Sequence, residues 1–435
     1  MNADIQRGAI AAVQVLGLAV WFSMSAVVPT LRGEWGLESA DAVWLTASVQ
    51  LGFVAGALTS AALTLADRVP PQRLLAGGAA AAAVCTVLLA VSVDRLAAAV
   101  PLRFMTGVFL AGVYPVGMKL MASWAHGAAR GKSMGVLIAA LTLGSTLPHL
   151  IAGVGSLPWR GVLLVAAAAG LLAAFIALAF LRVGPHAAPA APTRNPRYAL
   201  TMFTQRGPRS ANLGYFGHMW ELYALWTWIP VFLAATDSAR HLPGSIEVTV
   251  FLTMGIGGVI GCLLGGWGAD RFGRPPAAMA ALLTSGLCCL LSPLLVHSPP
   301  VLVVAFCALW GAAVIADSGV FSTSLSEVAD SRYIGTALTA QTAIGFALTV
   351  VSIQLTPLLA DAVGWRYAFL LLAPGPLAGA LAMRALRTGN GLAERAGEDV
   401  PLPGSDRSGL PGQGARDSCP LRTPPDPASV DTSSA

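Results

Sequence analysis

The nonapeptide GWGADRFGR, Gly266 to Arg274, decides the fold of this chain. It sets an acid and two bases, Asp270, Arg271 and Arg274, directly after an uncharged run from Val248 to Leu264. That run is about as long as a helix needs to be to cross a bilayer, and too apolar for an ordinary soluble helix. The chain therefore leaves a membrane at Gly266. A degraded copy, LADRVPPQR from Leu65 to Arg73, follows another apolar run about 203 residues earlier, a period expected of a duplicated membrane bundle.

Composition agrees. Of 435 residues, 55% are apolar and 11% charged, against about 25% charged in soluble domains, so the chain cannot cover itself with a polar surface. Net charge is +5, but the bases sit in short clusters between apolar runs and read as orientation signals rather than a nucleic-acid surface. No nucleic-acid partner and no cofactor is expected. None of the six cysteines has metal-ligand spacing, and all but Cys419 lie in apolar runs, so neither a metal nor a disulfide role is expected. Only Arg7 precedes the first run, and no cleavage site follows a short apolar core, so that run reads as a retained span.

Windows of roughly 20 apolar residues fall at about 9–31, 43–66, 73–93, 96–124, 132–154 and 161–182, then at about 211–234, 246–268, 276–297, 299–325, 333–360 and 365–387. The expected fold is an all-α integral membrane protein with twelve transmembrane helices in two pseudo-symmetric six-helix bundles, residues 1–182 and 211–387. Residues 183–210, rich in Pro, Ala and Arg, read as an irregular linker, and 388–435 as a disordered tail. Further pairs support duplication: Pro29 with Pro230, Gly52 and Gly56 with Gly257 and Gly261, Arg130 with Arg332, and Trp159-Arg160 with Trp365-Arg366. Every offset lies between about 201 and 206 residues. The glycines at four-residue spacing are expected to let helix backbones approach closely. Lys and Arg crowd one set of alternate loops, including Arg68, Arg73, Arg130, Lys132, Arg194, Arg197, Arg271, Arg274 and Arg332. That set, both termini and the linker are expected in the cytoplasm, in a multi-pass protein of the bacterial inner membrane.

Gly266, Asp270, Arg271, Gly273 and Arg274 resemble the cytoplasmic loop signature of the major facilitator superfamily, found between helices 2 and 3 and again between 8 and 9. The resemblance implies a secondary transporter, not an enzyme, with helices 1, 4, 7 and 10 around a central cavity. Carried over, it places Arg103, Tyr114, Lys119, His218, Glu221 and Asp317, with Gln14 and Trp21, around one site. Arg103 in RFMTGVFLAGVYP, followed by Gly107 and Gly112, resembles the family's fourth-helix motif, whose Arg is implicated in proton coupling. Gly135, Gly144 and Pro148 echo the span 5 pattern of proton antiporters, but His149 stands where that Pro is expected. The first loop copy departs from the pattern, with Pro70 for Gly, Pro71 and Gln72 for bases, and no early Gly; a weaker latch is expected there.

Charged residues inside a span cost about 2.5–3.5 kcal/mol if they face lipid, so they should face a cavity or one another. Arg103 either couples protons or ties helices together through backbone carbonyls. Glu221, near the middle of span 7 with His218 one turn before it, reads as the proton carrier in preference to a permanent partner of Arg103 or Lys119, and His218 as a possible relay. Trp220 and Tyr223 are cavity candidates, while Trp226 and Trp228 suit an interfacial belt. Asp317 and Lys119 either pair across the bundles as an inner gate or pair each within its own half. Asp270 and Arg271, with Arg274, are expected to latch the cytoplasmic face, the acid pairing with a base or with the positive N-terminus of a neighbouring helix; Arg332 and Glu327 are the candidate partners, with Arg130 the counterpart opposite Asp67 and Arg68.

The expected function is alternating-access transport of a small solute coupled to protons by a functional monomer, with a small anion favoured because bases stand near the cavity. Proton-antiport efflux of amphipathic compounds is the alternative. A membrane enzyme or receptor is disfavoured because no catalytic cluster and no soluble domain is present.

Overall fold

The computed structural model describes residues 2–37, 39–125, 129–154, 157–187, 198–242 and 245–398, and these contain helices but no strand. Arg194, Arg197, Cys419 and residues 399–435 lie outside them, as does the side chain of His149. The chain divides into a unit of residues 1–392 and a second of 393–435; the first is described below.

Backbone N–H and C=O groups in lipid must bond within their own segment, so each apolar run becomes a helix. The first bundle contains α1 (Ala3–Trp35), α2 (Ser39–Leu63), α3 (Pro71–Ser92), α4 (Leu96–Ser123), α5 (Ala129–Val154) and α6 (Trp159–Ala179). The second contains α7 (Arg206–Ala234), α8 (Ile246–Phe272), α9 (Arg274–His297), α10 (Pro300–Val328), α11 (Ser331–Val363) and α12, which opens at Trp365. Ten of these are apolar enough throughout to count as membrane spans by composition. The other two are α5, several of whose side chains lie outside the described residues, and α7, which carries Tyr215, His218, Glu221 and Tyr223 among its apolar residues.

Two expected boundaries move. The linker is not wholly irregular: a short helix forms at Tyr198–Thr204 and α7 starts at Arg206, because Tyr198 has a ring to stack on Tyr333 of the second bundle. The last helix runs past residue 388 to Glu398, since nothing between them opposes a helix but three isolated glycines, Gly389, Gly391 and Gly397.

The bundles meet through α2 against α11 and α5 against α8, which are equivalent pairs under the internal repeat. At the second crossing Gly266, the first residue of the opening motif, lies against Gly131 and Gly135. A Cβ on Gly135 would come 2.6 Å from the Cys262 carbonyl oxygen and 3.2 Å from the Gly266 Cα. Gly135→Ala should therefore force the bundles apart there, at about 1–3 kcal/mol, and a thermal melt of the purified protein should show it as a lowered Tm.

The two motif copies turn the chain by different means. In the second, Gly273 has φ +93° and ends α8 in a conformation that favours glycine. In the first, Thr64 takes up φ 52°, a short helix Leu65–Arg68 follows, and Pro71 starts α3 at a helix position that needs no N–H.

Two spans break midway. α4 is interrupted between Leu110 and Tyr114, where Pro115 cannot donate to the preceding turn, and α10 between Ala316 and Ser318, with Asp317 at the junction. The breaks are equivalent, since Tyr114 and Asp317 are 317 − 114 = 203 residues apart, as are Asp67 and Asp270, 270 − 67 = 203. Broken helices free backbone groups near the membrane midplane, where transporters place their sites. Gln14 of α1 donates at 3.2 Å to the Val113 carbonyl beside the first break, which also accepts from the Gly117 N–H at 2.9 Å.

Candidate functional site

Between the bundles, at the level of the two breaks, lies a cavity of about 10 Å³, room for about one water molecule. Its walls include Tyr114 of α4, Tyr215, His218 and Tyr223 of α7, and Ser318 of α10, with Met219, Leu222, Leu141 and Ile315 between them. The hydroxyls of Tyr114, Tyr215 and Tyr223 form no hydrogen bond among the described residues, although all three rings are buried. Buried phenols ordinarily find a partner, so these are groups ready to bond a solute.

His218 connects this cavity to the break in α10. Its Nε2 is 2.7 Å from the Ser318 Oγ, and its Nδ1 is 2.9 Å from the Asp317 Oδ1. That second contact is close but poorly aligned, which leaves Oδ1 without a directed hydrogen bond. Both side chains are about 2% exposed or less, so the pair is shut off from solvent and acts as one polar unit at the break.

Glu221 faces elsewhere. One turn beyond His218, it points into the second bundle, where its Oε1 accepts from Ser285 at 2.5 Å, Trp310 Nε1 at 2.8 Å and Cys289 Sγ at 3.2 Å. It belongs to the packing of α7 on α9 and α10 and not to the cavity wall. Trp220 likewise donates from Nε1 to the Leu371 carbonyl at 3.0 Å, on the α12 side of α7.

Neither basic residue of α4 faces the cavity. The Arg103 guanidinium is spent on the carbonyls of Trp21 (2.6 Å), Leu45 (3.3 Å) and Val20 (3.4 Å), so it ties α4 to α1 and α2. Lys119 donates to Asp67 at 2.5 Å and to the Ala66 carbonyl at 2.8 Å. Of the two pairings open to Lys119 and Asp317, each thus forms within its own half.

Aromatic rings close one end of the cavity. Trp21 and Phe53 pack on Phe346 of α11 with ring centroids 4.9 and 4.5 Å apart, and Phe22 lies 6.2 Å from both Tyr223 and Trp226. The Trp21 and Trp226 indole nitrogens are buried there without partners.

The motif copies close the other end. The Asp270 carboxylate accepts from the backbone N–H of Gly131 (3.0 Å) and Lys132 (2.7 Å) at the start of α5, and from Arg274 (2.8 Å). Asp67 accepts from the N–H of Gly335 (3.0 Å) and Thr336 (2.7 Å) at the start of α11, from the Thr336 hydroxyl (2.7 Å) and from Lys119. Each acid of one bundle therefore caps a helix N-terminus of the other, where donors lack intrahelical acceptors and the dipole favours an anion. The charged partners expected from the sequence are met only in part. Glu327 pairs with Arg274 at 3.0 Å, Arg332 pairs with Asp330 at 2.7 Å, and Arg130 pairs with neither Asp67 nor any other acid among the described residues. The Arg332 hydrogen bonds hold the Asp330 carboxyl below the usual range. Arg68 and Arg271 are exposed and make no ion pair among those residues. The expectation of a weak first latch is also corrected, since Asp67 is the better buried and more fully bonded acid.

Sequence reasoning missed Tyr215 and Ser318. Tyr215 stands one turn before His218 on the same face of α7, and Ser318 follows Asp317 directly, so both were in reach. The Phe22, Phe53 and Phe346 rings gave no such signal, because aromatic residues in apolar spans are usually packing.

Two helical bundles joined at equivalent crossings, each capping the other's helices at one face and enclosing a cavity between them, define a polytopic membrane protein of transporter architecture. The family model described as Major Facilitator Superfamily matches residues 10–353 and 213–415, and the chain belongs to that family of transporters, which are not enzymes. Among solved structures it is similar to the human organic anion transporter MFSD10 (TETRAN), with a TM-score of 0.72 and 16% identity over 89% of this chain and 100% of that one. It is also similar to the proton:xylose symporter XylE bound to 6-bromo-6-deoxy-D-glucose (TM-score 0.67, 14% identity, 88% and 96% covered). A further similar structure is the E. coli fucose:proton symporter FucP (0.66, 13%, 89% and 99%). At these identities the likeness is one of fold. No curated protein matches the chain.

Proposed function

We propose that the chain is a proton-coupled secondary transporter that exchanges protons for a small amphipathic solute, neutral or cationic. The observation that carries this reading is the buried His218–Asp317 pair opening onto a cavity lined by three unpartnered tyrosine hydroxyls. With Asp317 ionised the site bears one negative charge, and one proton delivered to it brings that charge to zero. A cationic solute and a proton then compete for one charge, which favours exchange over symport. The tyrosine rings offer π faces to a cation and hydroxyls to its polar groups.

The anion favoured by the sequence loses its support here, because Arg103 and Lys119 are both committed to other partners. The Lys and Arg bias supports a cytoplasmic motif face, with both termini on that side.

The test is flux into proteoliposomes with an imposed pH gradient, offering ethidium, benzoate and xylose in parallel. Gradient-driven flux of ethidium over benzoate is expected, and it should collapse with a protonophore. Flux of all three that ignores the gradient would sink the reading. Glu221→Gln should keep the gradient dependence, because Gln still accepts from Ser285 and Trp310 and the residue lies outside the cavity; loss of coupling in that variant would return the proton to Glu221.

A further inference from the structure

A second cleft opens on the motif face of the first bundle, apart from the solute cavity, with a volume of about 30 Å³. Its walls bring together Lys119 from the end of α4, Arg130 from the first turn of α5 and His186 from the segment after α6, with Ile334 at the start of α11 completing it from the other bundle. The segment after α6 is pinned in place: the Gly184 N–H donates to the Ser123 Oγ at 2.9 Å and the His186 N–H to the Ser123 carbonyl at 3.0 Å.

The charges in this cleft do not balance. Of Lys119 and Arg130, only Lys119 is paired with an acid among the described residues, and that acid, Asp67, is already shared with the α11 N-terminus. Arg130 forms no hydrogen bond or ion pair among the described residues, and its Nε is shut off from solvent. A buried donor without an acceptor is unfavourable, and the positive end of the α11 dipole adds to the local field. The missing component is an acceptor with negative charge. The cleft has room for about two water molecules, which suits the oxygens of an anion whose remainder lies outside.

We propose that this cleft binds a phosphate group, either free in the cytoplasm or in a lipid headgroup, between Lys119 and Arg130, and that its binding holds the protein closed at the motif face. Two features set that direction. Ile334 belongs to the second bundle, so the cleft is complete only while the bundles are together at this face, and a ligand shifts the population toward the state that completes its site. An anion that draws on Lys119 also leaves more of the Asp67 charge for the α11 N-terminus.

The experiment is calorimetric titration of inorganic phosphate into the purified protein in phosphatidylcholine nanodiscs at constant ionic strength, with chloride as the control. Saturable binding is expected for the wild type, at least tenfold weaker binding for Arg130→Gln, and binding within about threefold of wild type for Arg130→Lys. The charge-keeping variant separates loss of the site from loss of the fold, as does a phosphate-free melt of each protein. No saturable binding, equal affinity in Arg130→Gln, or equal heat from chloride would overturn the site. Repetition in phosphatidylglycerol discs identifies the source: weakened phosphate binding there means the headgroup holds the site, and unchanged binding means the free anion does. Closure is read by maleimide labelling of a cysteine at Ser326, 5% exposed here, in a protein stripped of its native cysteines. Phosphate should slow that labelling, and faster or unchanged labelling would overturn the closing role. None of these readouts requires a transported solute, so they stand or fall apart from the proposed exchange reaction.

Discussion

Asp67→Asn should open the motif face more than any other single change in the latch. The Asp67 side chain is 1% exposed, and its carboxylate accepts two backbone N–H groups, one hydroxyl and the Lys119 ammonium. Asparagine keeps the shape but loses the charge, leaves Lys119 without its counter-ion and turns an NH2 group toward donors. Breaking a largely buried pair in this way costs about 3–5 kcal/mol. If about 3 kcal/mol of that falls on the closed state alone, the closed population drops about 100-fold against the open one. Labelling of a cysteine at Ser326 should accelerate accordingly. Asp270→Asn should do less, about tenfold, because Asp270 is 15% exposed and Arg274 keeps Glu327 as a second partner. Equal acceleration, or the reverse order, would show that the two acids are not ranked by burial and bonding.

Asp317→Asn should abolish accumulation against a gradient while leaving exchange down a gradient within about threefold of wild type. Asparagine is isosteric, retains an acceptor near His218 and removes the group whose charge the proton neutralises. The solute would still meet the same three tyrosines. Gradient-driven accumulation in proteoliposomes should therefore fall to the equilibrium ratio, with a melt confirming that the variant is folded. Accumulation that survives in Asp317→Asn would remove the His218–Asp317 pair from the coupling step.

The difference between what could be read from the chain and what could not follows from the range of the forces involved. Span positions, the duplication and the placing of Asp67 and Asp270 at equivalent span ends were legible, because membrane burial and a repeat of about 203 residues leave marks in the order of residues. The equivalence of Tyr114 with Asp317 was equally legible through that same offset. Side-chain direction was not. Glu221 and His218 are one turn apart on α7, yet one points to the cavity and the other into the bundle, a difference decided by where Ser285, Trp310 and Ser318 happen to stand on other helices. A helix N-terminus was legible as one kind of partner for the latch acids, but which helix was not, because backbone N–H groups carry no residue identity while the charged side chains of Arg332 and Arg130 do.

That last feature has a bearing on how such a lock can change over generations. At Gly335, Thr336, Gly131 and Lys132 the aspartates bond mainly to amides that every residue except proline possesses. Half of each lock therefore rests on backbone position and not on an opposite charge, but its first amide has to be glycine: a Cβ on Gly131 would come 2.4 Å from the Asp270 Oδ1, and one on Gly335 2.4 Å from the Asp67 Oδ1. A search for compensating substitutions opposite Asp67 or Asp270 should accordingly find few, and revertants of an aspartate variant should restore the acid itself in preference to repairing its neighbour.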